Sequence, residues 1–449
     1  MRGVTRLFKP ALAVSVLAGV LAGGHMAAGA QEVVTGSKAY GSWEQNEPGR
    51  KLLIRPSDLP APGASSVSSN SPGIVARPKN AAPKAMAGFS VHEFASGLQA
   101  PRVIEIAPNS DVFVSDSSAG TVDVFRMGDD GSVAERSVFA SGLTRPYGIA
   151  FYPARNPKYV YVANTDSVVR YPYSTGAMKA GGKAQTIVKR LPTGYHWTRD
   201  IAFSKDGRTL YVSVGSGSNV ARGMGDRPPR GFADQAPTGA TWGDERWRAD
   251  VLAFDPDGGN RRIFATGLRN CSGLAIQPDT GDPWCVVNER DMLGDDLPPD
   301  YATRVEKGAF YGWPWYYIGD HPDPRWSDAP RPDLAERVRV PDVLIQPHSA
   351  PLGIGFYSGT AFPAAFRGDA FVALHGSWNR NHPTGYKVVR LLFKDGRPTG
   401  VYQDFLTGFI LDDQRVWGRP VDVTMAKDGS LLVSEDASGT IWRVSATGE

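Results

Sequence analysis

From Phe89 onward, short runs of β-branched and aromatic residues alternate with turns rich in Gly, Asp and Pro. No stretch in this part keeps the 3.6-residue period of a long amphipathic helix. Residues 31–88, by contrast, are rich in Pro, Ala, Ser and Gly, and only residues 51–54 resemble an ordered strand. The pattern predicts an all-β domain over residues 89–449, preceded by an extended N-terminal arm over residues 31–88.

The apolar runs repeat along the chain. Phe-Ala-Ser-Gly-Leu at residues 94–98 recurs at 139–143 and, as Phe-Ala-Thr-Gly-Leu, at 264–268. Each copy is followed by a strand with a Pro-x-x-Ile-like start, then by a turn and a second strand, and in several units by a clear third strand. The starts of these first strands are residues 101, 146, 198, 271, 351 and 420. We therefore count six units of about four strands each.

Radial repetition of four-stranded antiparallel sheets is typical of a β-propeller, here one with six blades. The phase of the repeat supports this interpretation. The repeat region begins with a last-strand segment at residues 90–94 and ends with a third strand at residues 441–444. These two ends can complete one blade and so close the ring, which removes its exposed edges. Two stacked β-sandwiches are the alternative.

The first thirty residues resemble a secretory signal. Arg2, Arg6 and Lys9 precede an apolar run at residues 11–21 that is too short to span a bilayer comfortably, and residues 28–30 offer a small-residue cleavage site. We predict a signal peptide over residues 1–30, cleaved after Ala30, and a periplasmic or secreted protein. An N-terminal membrane anchor is the alternative.

Charge and cysteine content narrow the function classes further. The chain has 49 Lys and Arg against 46 Asp and Glu, and the predicted leader contains three of the basic residues and no acidic one. The remainder is neutral, so nothing favours nucleic acid as a partner. No later apolar run is long enough for a transmembrane helix. Cys271 and Cys285 can pair in an oxidising compartment or remain a free, buried pair.

Candidate functional residues come from the loops that precede the first strands, because in a propeller these loops meet at one end of the central channel. Four of the six loops carry a cationic or titratable residue in the same register: Arg145, His196, Arg269 and Arg419. This register predicts an anion pocket with one imidazole that titrates near neutral pH.

The ends of the second strands return to the same face of the propeller. They contribute Glu289, Arg290, Asp291 and His375, followed by an acidic loop at residues 294–300. Carboxylates on an irregular loop suit a hard cation such as Ca²⁺, although many acidic loops are simply solvated.

The motifs together resemble the glucose/sorbosone dehydrogenases that depend on pyrroloquinoline quinone (PQQ). The resemblance covers roughly residues 88–445, and residues 41–43 and 56–60 resemble the sorbosone dehydrogenase branch. The matching motifs lie at residues 196–200, 267–270, 288–291, 311–314, 375–378 and 417–420. The resemblance implies an exported six-bladed propeller that uses PQQ and calcium.

The resemblance also implies roles for individual residues. His196 would be the general base that takes the substrate hydroxyl proton, and Arg269 would stabilise negative charge at the reactive quinone carbonyl. The other implied cofactor-binding residues are Asn270, Glu289, His348, His375, Arg419 and Arg145. The implied calcium ligands are main-chain oxygens of Arg290 and Asp291, with a second, structural calcium near Asp296 and Tyr311.

The chain departs from the soluble glucose dehydrogenases at three cofactor positions. Val421 stands in place of a second arginine, His375 in place of a lysine and His348 in place of a threonine. Fewer cations would then hold the carboxylates of PQQ, unless Arg145 or a protonated His375 substitutes.

Three hypotheses of function follow. The first is an exported PQQ-dependent dehydrogenase that oxidises a sugar or a sugar-derived aldehyde and passes electrons to an external acceptor. The second is a calcium-dependent, lactonase-like propeller hydrolase. The third is a propeller without catalysis that binds a glycan or a protein through its aromatic loops.

Overall fold

The computed structural model describes residues 32–232 and 235–448, together with Met1 and Gly3. The predicted signal peptide therefore lies almost entirely outside the described residues. From Glu32 onward the chain forms one compact unit, which consists mainly of β-strands. Within the described part of the chain, no helix is long and apolar enough to cross a membrane.

Six antiparallel sheets, each built on four strands, make up the body of the described structure. Sheet 1 consists of Pro101–Ile106, Val112–Asp116, Thr121–Met127 and Val133–Ala140. Sheet 2 consists of Ile149–Tyr152, Tyr159–Ala163, Val168–Pro172 and Gln185–Val188. Sheet 3 consists of Ile201–Phe203, Leu210–Val214, Asp250–Phe254 and Arg262–Thr266. Sheet 4 consists of Cys271–Ile276, Pro283–Val287, Asp300–Arg304 and Val343–Ile345. Sheet 5 is built on Pro351–Phe356, Ala370–Leu374, Lys387–Lys394 and Arg397–Thr407. Sheet 6 consists of Pro420–Met425, Leu431–Glu435, Thr440–Ala446 and Phe89–Ala95.

The second strand of each sheet is almost wholly buried and mostly apolar because both of its faces are covered by neighbouring sheets. Val112–Asp116 and Leu210–Val214, for example, are buried at every position. Outer strands such as Val133–Ala140 expose several residues and carry charge. This is the pattern expected of strands packed on both faces, and it explains why simple alternation is weak in the sequence.

The first strands of the six sheets contact one another in chain order, and the first strand of sheet 6 also contacts that of sheet 1. Sheet 6 is completed by Phe89–Ala95, which pairs antiparallel with Thr440–Ala446, so that Ala446 lies opposite Phe89. A closed ring of this kind is a β-propeller arrangement and not a pair of stacked sandwiches.

Carboxylates link neighbouring sheets at or near the first residues of their strands. The carboxylate of Asp422 in sheet 6 accepts a hydrogen bond of 2.8 Å from the Ile104 amide in sheet 1, and Asp200 accepts one of 2.7 Å from Leu274 in sheet 4. Asp300 in sheet 4 accepts a bond of 2.8 Å from Ala350, which precedes sheet 5. These acceptors are needed because backbone amides at the edge of a first strand have no ladder partner in the next sheet.

The N-terminal segment (residues 32–88) contains more regular structure than the prediction of one ordered stretch allowed. Lys51–Leu53 pairs with the outer strand of sheet 5, and Val33–Thr35 pairs with Lys51–Leu53 in parallel. Two further short strands, Lys84–Ala85 and Gly73–Ile74, pair with Arg397–Thr407 and Arg415–Val416. That prediction was wrong because the order of these segments comes from existing strand edges, which local composition does not report.

The remaining elements of the described chain are short. The 3₁₀ helices are Gly36–Tyr40, Trp43–Gln45, Pro56–Asp58, Gly243–Glu245, Pro324–Trp326 and Ala364–Phe366. One short α-helix in the described chain is Pro332–Ala335. Two short hairpins pair Tyr316–Tyr317 with His321–Pro322 and Ile410–Asp412 with Arg415–Val416.

The structure settles two further points of the sequence analysis. Cys271 and Cys285 form a disulfide, in a hairpin whose register shifts between Cys271 and Gly273. The first strands of sheets 2 and 3 begin at Ile149 and Ile201, and not at Pro146 and Thr198 as the repeat predicted. Residues 198–200 are not part of the strand because the buried Arg199 guanidinium donates to the carbonyls of His196 and Thr198, which holds this stretch in an irregular loop.

The link between sheets 6 and 1 can be tested at Asp422, which is buried. We expect Asp422→Ala to lower the free energy of unfolding by about 1–3 kcal/mol, because the Ile104 amide loses its acceptor. Asp422→Asn keeps an acceptor oxygen and should stay within about 1 kcal/mol of the unmodified chain. Urea-induced unfolding measures both. Equal losses for the two variants would contradict a hydrogen-bonding role for Asp422.

Candidate functional site

A cavity of about 200 Å³ lies where the loops before the first strands of sheets 3 to 5 meet the ends of their second strands. It is lined by Tyr195, His196, Arg269, Asn270, Asn288, Glu289, Asp291, Asp300, His348, Ala350 and Trp378. A larger cavity of about 330 Å³ lies inside the ring of first strands, where apolar side chains and three carboxylates line it and no His or Arg does. The smaller cavity thus contains the predicted chemistry.

His196 is held as a neutral base. Its Nδ1 lies 3.0 Å from both the carbonyl oxygen and the hydroxyl oxygen of Ser216. The hydroxyl donates its own proton to the Ser218 carbonyl at 2.7 Å, so both oxygens accept from Nδ1, which carries the proton. Within the described structure Nε2 makes no hydrogen bond to the protein, which leaves its lone pair available. Burial, and next the positive charge of Arg269, hold the pKa of His196 well below 6.5. The imidazole is therefore unprotonated at neutral pH.

Arg269 is buried, and all of its N–H groups face protein acceptors. Nη1 donates to the carbonyls of Asn288 and Glu289 at 3.0 and 2.7 Å. Nη2 donates to Asn219 Oδ1 and Asp291 Oδ2 at 2.9 and 3.1 Å, and Nε donates to the Asn219 carbonyl. Arg269 therefore acts on the cavity through its fixed positive charge and not through a free donor.

Two buried acceptors near Arg269 have no partner in the described structure. Asn270 Oδ1 accepts no hydrogen bond, although its amide nitrogen contacts Asn288, and Glu289 Oε1 is likewise unpaired. Burial raises the pKa of Glu289 to about 7, against the opposing charge of Arg269. Unpaired buried acceptors are costly, so their presence in a cavity indicates a place for a ligand that donates hydrogen bonds.

His348 occupies the opposite wall of the cavity. Its Nε2 donates to the Gly294 carbonyl at 2.9 Å, and Nδ1 lies 3.9 Å from the carboxylate of Asp291. Burial lowers the pKa of His348, so it is neutral at neutral pH. His348 therefore offers a polar, uncharged edge to the cavity.

A second group of predicted residues surrounds the buried carboxylate of Asp436. His375 Nε2 lies 3.0 Å from that carboxylate, Arg419 Nη2 lies 3.0 Å from it and Arg102 Nη1 lies 3.1 Å from it. Burial disfavours the ionised carboxylate, but the contacts with His375 and the two guanidinium groups outweigh it and hold the pKa of Asp436 below 3.8. Burial lowers the pKa of His375, and this residue is a neutral donor.

Arg145 joins this group through Trp197, the neighbour of His196. The Arg145 guanidinium carbon lies 3.8 Å from the centre of the Trp197 ring, and that of Arg102 lies 5.2 Å from the same ring. Arg145 has no acidic partner among the described residues. In this group three arginines, Arg102, Arg145 and Arg419, face the one carboxylate of Asp436, which leaves a surplus of two positive charges, and Trp197 connects the group to His196 along the chain.

The residues predicted to bind calcium do not form a metal site as placed. The Asp291 carbonyl already accepts from Arg290 Nε and Asn219 Nδ2, and Arg290 also pairs with Asp323 at 3.1 Å. Asp296 pairs with Arg380, whereas the Tyr311 hydroxyl donates to the Arg304 carbonyl. No group of three or more His, Cys, Asp or Glu side chains in the described ranges is arranged to hold a metal ion.

The sequence analysis missed several residues of the site. Asn219 links Arg269 to the Asp291 loop. Gly215 packs against Asn270 and His196, and a Cβ added at Gly215 would stand 2.3 Å from Asn270 Oδ1 and 2.6 Å from His196 Cβ. Arg102 could have been found from the sequence, because it is the second residue of its first strand, directly after Pro101. Val421 occupies the same position after Pro420. Asn219 could not have been found, since it lies in the long insertion of sheet 3.

Comparison with known proteins identifies the family. The family model described as TrAA12-like matches residues 83–297 and 333–447. A PQQ-dependent pyranose dehydrogenase of Coprinopsis cinerea is 26% identical over 416 residues, which cover 79% of this chain and 53% of that protein. An uncharacterised protein of Borreliella burgdorferi is 34% identical over 200 residues, 44% of this chain and 52% of that protein. The chain thus spans about half the length of these curated relatives.

The fold is shared with a solved structure. The holo form of the PQQ domain of the Coprinopsis cinerea pyranose dehydrogenase superposes with a TM-score of 0.67 at 22% identity, over 84% of this chain and 100% of that domain. At this identity, the likeness concerns the fold.

The state of His196 yields a prediction. Its pKa should lie below 6.5 in a nitrogen-15 NMR titration, and Arg269→Met should raise it, because a nearby positive charge disfavours the imidazolium. Arg269→Lys keeps the charge and is the control. Since the unfolded chain binds this proton first, His196 lowers stability as the pH falls below about 6.5. A pKa at or above 6.5 in the unmodified protein would contradict the neutral base.

Proposed function

The chain belongs to the TrAA12-like family, and from this premise we propose that it is an exported PQQ-dependent dehydrogenase of sugars or sugar-derived aldehydes. One observation carries the proposal. A half-buried imidazole is held neutral with a free Nε2, and the next residue, Trp197, packs against arginines of a group with surplus positive charge. The names of the relatives support PQQ as the cofactor and a sugar as the substrate.

The residues present fit PQQ, which is a planar aromatic tricarboxylate with quinone carbonyls and a pyrrole N–H. The surplus of two positive charges around Asp436 suits carboxylates, and guanidinium groups bind these in bidentate fashion. The unpaired oxygens of Asn270 and Glu289 suit donor groups of cofactor or substrate. When bound, PQQ supplies the redox chemistry by accepting two electrons and a proton as a hydride.

His196 performs the proton transfer. Its Nε2 takes the proton of the hydroxyl that is oxidised, either on a sugar or on the hydrate of an aldehyde. The Ser216 carbonyl fixes the ring orientation and stabilises the imidazolium that forms, since Nδ1–H continues to donate to it. Arg269 contributes a positive charge next to developing negative charge, and its five engaged N–H groups keep that charge in place.

Arg102 compensates for the cation missing at position 421. Val421 is buried and apolar, and His375 is neutral where the resemblance leads one to expect a lysine. The Arg102 guanidinium enters the same group from sheet 1 and lies 3.1 Å from the Asp436 carboxylate. With Arg145 on Trp197, three arginines from three sheets are available to hold carboxylates.

Calcium and the sorbosone-type substrate remain predictions from the resemblance. The Asp291 carbonyl would have to exchange the Arg290 and Asn219 donors for a metal ion, so the residues as placed do not fit calcium, and we derive no step through it. The external electron acceptor is also part of the proposal.

Organisation and location complete the proposal. We assign the six sheets as six blades, residues 31–88 as an arm and residues 1–30 as a cleaved signal peptide. The buried Cys271–Cys285 disulfide supports export to the periplasm or medium, since such bonds persist in oxidising compartments.

Cofactor binding is the first test. PQQ at about 100 times its dissociation constant should raise the free energy of unfolding of the purified protein by about 2.7 kcal/mol, which thermal unfolding detects. Arg102→Met and Arg419→Met should each weaken PQQ binding by about tenfold or more, because each removes a charged donor. Arg126→Met, which breaks a pair on the outside of sheet 1, is the control. Parallel runs with Ca²⁺ and with a chelator test the metal. No stabilisation by PQQ in either would contradict the proposed function.

Catalysis is tested at His196. His196→Ala should lower kcat for dye-coupled sugar oxidation by about 10²- to 10⁴-fold, the range for loss of a general base, while PQQ binding is kept. In the unmodified enzyme the rate should fall as the pH drops through the lowered pKa of His196, where Nε2 becomes protonated. His92→Ala, at an exposed histidine, should change neither quantity.

The same assay separates the other hypotheses. Unchanged turnover of His196→Ala would refute the assignment of the base. Ester hydrolysis without PQQ would favour the hypothesis of a lactonase-like hydrolase. Binding of a glycan or a protein without dye reduction would favour the hypothesis of a propeller without catalysis.

A further inference from the structure

The main-chain carbonyl of Asp291, where the resemblance implies a calcium ion, already has two donors. Asn219 Nδ2 donates to this oxygen at 3.0 Å, and Arg290 Nε donates to it at 3.1 Å. A carbonyl oxygen has two lone pairs, and the two donors use both of them. A metal ion could bind this oxygen only by displacing one of these donors.

Asn219 holds Asp291 through both of its main-chain polar groups. In addition to the bond with the carbonyl, Asn219 Oδ1 accepts from the Asp291 amide at 2.8 Å and from Arg269 Nη2 at 2.9 Å. The Asn219 carbonyl accepts from Arg269 Nε and from Trp313 Nε1, both at 3.2 Å. One residue of the sheet 3 insertion therefore fixes the Asp291 loop next to the buried cation of the cavity.

The Arg290 guanidinium is held in place by a buried partner. Its Nη1 lies 3.1 and 3.3 Å from the two carboxylate oxygens of Asp323. The Arg290 side chain is 10% exposed and that of Asp323 is 4% exposed. Asp323 is fixed in turn, since its carboxylate accepts from the Arg325 amide and its amide donates to the Trp315 carbonyl. Arg290 thus brings a permanent positive charge, in one orientation, to the Asp291 loop.

The charges around this loop are balanced. Asp291 pairs with Arg269 at 3.1 Å, and Asp323 pairs with Arg290 at the same distance. The affinity of a calcium site depends on how many charged oxygens its ligands supply. Two guanidinium groups against these two carboxylates leave no net negative charge to attract a dication.

Two further buried carboxylates of the cavity are also engaged. Each oxygen of Asp300 accepts from a backbone amide at 2.8 Å. Glu289 Oε2 accepts from the Arg290 amide at 3.0 Å, whereas Oε1 has no partner in the described structure. Calcium takes about six to eight oxygen ligands, and the oxygens left unpaired among the described residues of this loop do not provide that number.

The second position implied for calcium shows the same arrangement. Nη2 of the buried Arg380 lies 3.1 Å from Asp296 Oδ1 and donates to the Tyr40 carbonyl at 2.9 Å. Both implied calcium positions therefore hold a buried guanidinium group that contacts a carboxylate and a main-chain carbonyl.

We propose that Arg290 and Asn219 take the place of a calcium ion in this chain, and that the protein binds its cofactor without a divalent cation. Arg290 supplies the positive charge, and Asn219 holds the Asp291 loop beside Arg269. The identity of the cofactor rests on the proposed function, whereas the response of the protein to calcium does not depend on it. Arg290 and Asn219 are positioning residues.

Calcium titration of the purified protein, after treatment with EGTA, tests the proposal. Ca²⁺ at about 10 mM, about ten times the dissociation constant of weak extracellular sites, should raise the midpoint of thermal unfolding no more than Mg²⁺ does. The dissociation constant of PQQ should agree within about threefold between Ca²⁺ and EGTA. A specific rise with Ca²⁺, or a larger loss of PQQ affinity in EGTA, would overturn the proposal.

Two variants should create the calcium response that we expect the unmodified protein to lack. Arg290→Ala opens the Asp291 carbonyl and the Asp323 carboxylate, and Asn219→Asp places a carboxylate where an amide donated. In each, Ca²⁺ at about ten times its dissociation constant should raise the unfolding midpoint by about 1–2 °C. Arg290→Lys keeps the positive charge and should not respond. If Arg290→Ala does not fold, Asn219→Asp decides.

Arg390→Ala is the matched control. The pair of Arg390 with Asp369 in sheet 5 is as deeply buried as that of Arg290 with Asp323, and its loss should create no calcium response. No response in Arg290→Ala or Asn219→Asp, or an equal response in Arg390→Ala, would overturn the replacement. If PQQ binds neither with Ca²⁺ nor with EGTA, the proposed function is wrong, and the calcium titrations still decide the replacement. If PQQ binds only with Ca²⁺, the proposed function stands and calcium independence is wrong.

Discussion

The structure depends on how the first strands of its six sheets satisfy their backbone amides. Sheets packed face to face in a ring share no hydrogen-bond ladder, so each first strand has a row of buried donors at its edge. Carboxylates of neighbouring sheets fill this need at Ile104, Leu274 and Ala350. The same strands begin at the loops that carry His196, Arg269 and Arg419, so the links that hold the ring closed also fix the distances within the site.

The electrostatics of the site follow from burial and neighbours. His196 is neutral because it is buried near Arg269, whose charge is fully bonded to carbonyl and carboxylate oxygens. Around Trp197, the residue after His196, one carboxylate is shared by two arginines, which leaves positive charge uncompensated. A neutral base and a group with surplus positive charge are thus connected through two consecutive residues, His196 and Trp197.

Much of this could be predicted from sequence because it repeats. The periodic strands predicted the sheets and the closing strand. One register position singled out Arg145, His196, Arg269 and Arg419; His196 and Arg269 line the same cavity, whereas Arg145 and Arg419 belong to the group around Trp197 and Asp436. Contacts made by insertions could not be predicted in this way. Asn219 has no counterpart in other repeats, and its position depends on where the long insertion of sheet 3 meets sheet 4. The meeting of Arg102 with Asp436 depends on ring closure, since they are distant in sequence but adjacent in space.

The pairing of Phe89–Ala95 with Thr440–Ala446 has a consequence for how the protein is made. The four main strands of each of sheets 1 to 5 follow one another along the chain, whereas the four strands of sheet 6 include a pair about 350 residues apart. During synthesis, the early strand must therefore stay unpaired until nearly the whole chain has emerged. A nascent chain of this design remains open until its last strand arrives, which is compatible with passage across a membrane before folding is complete.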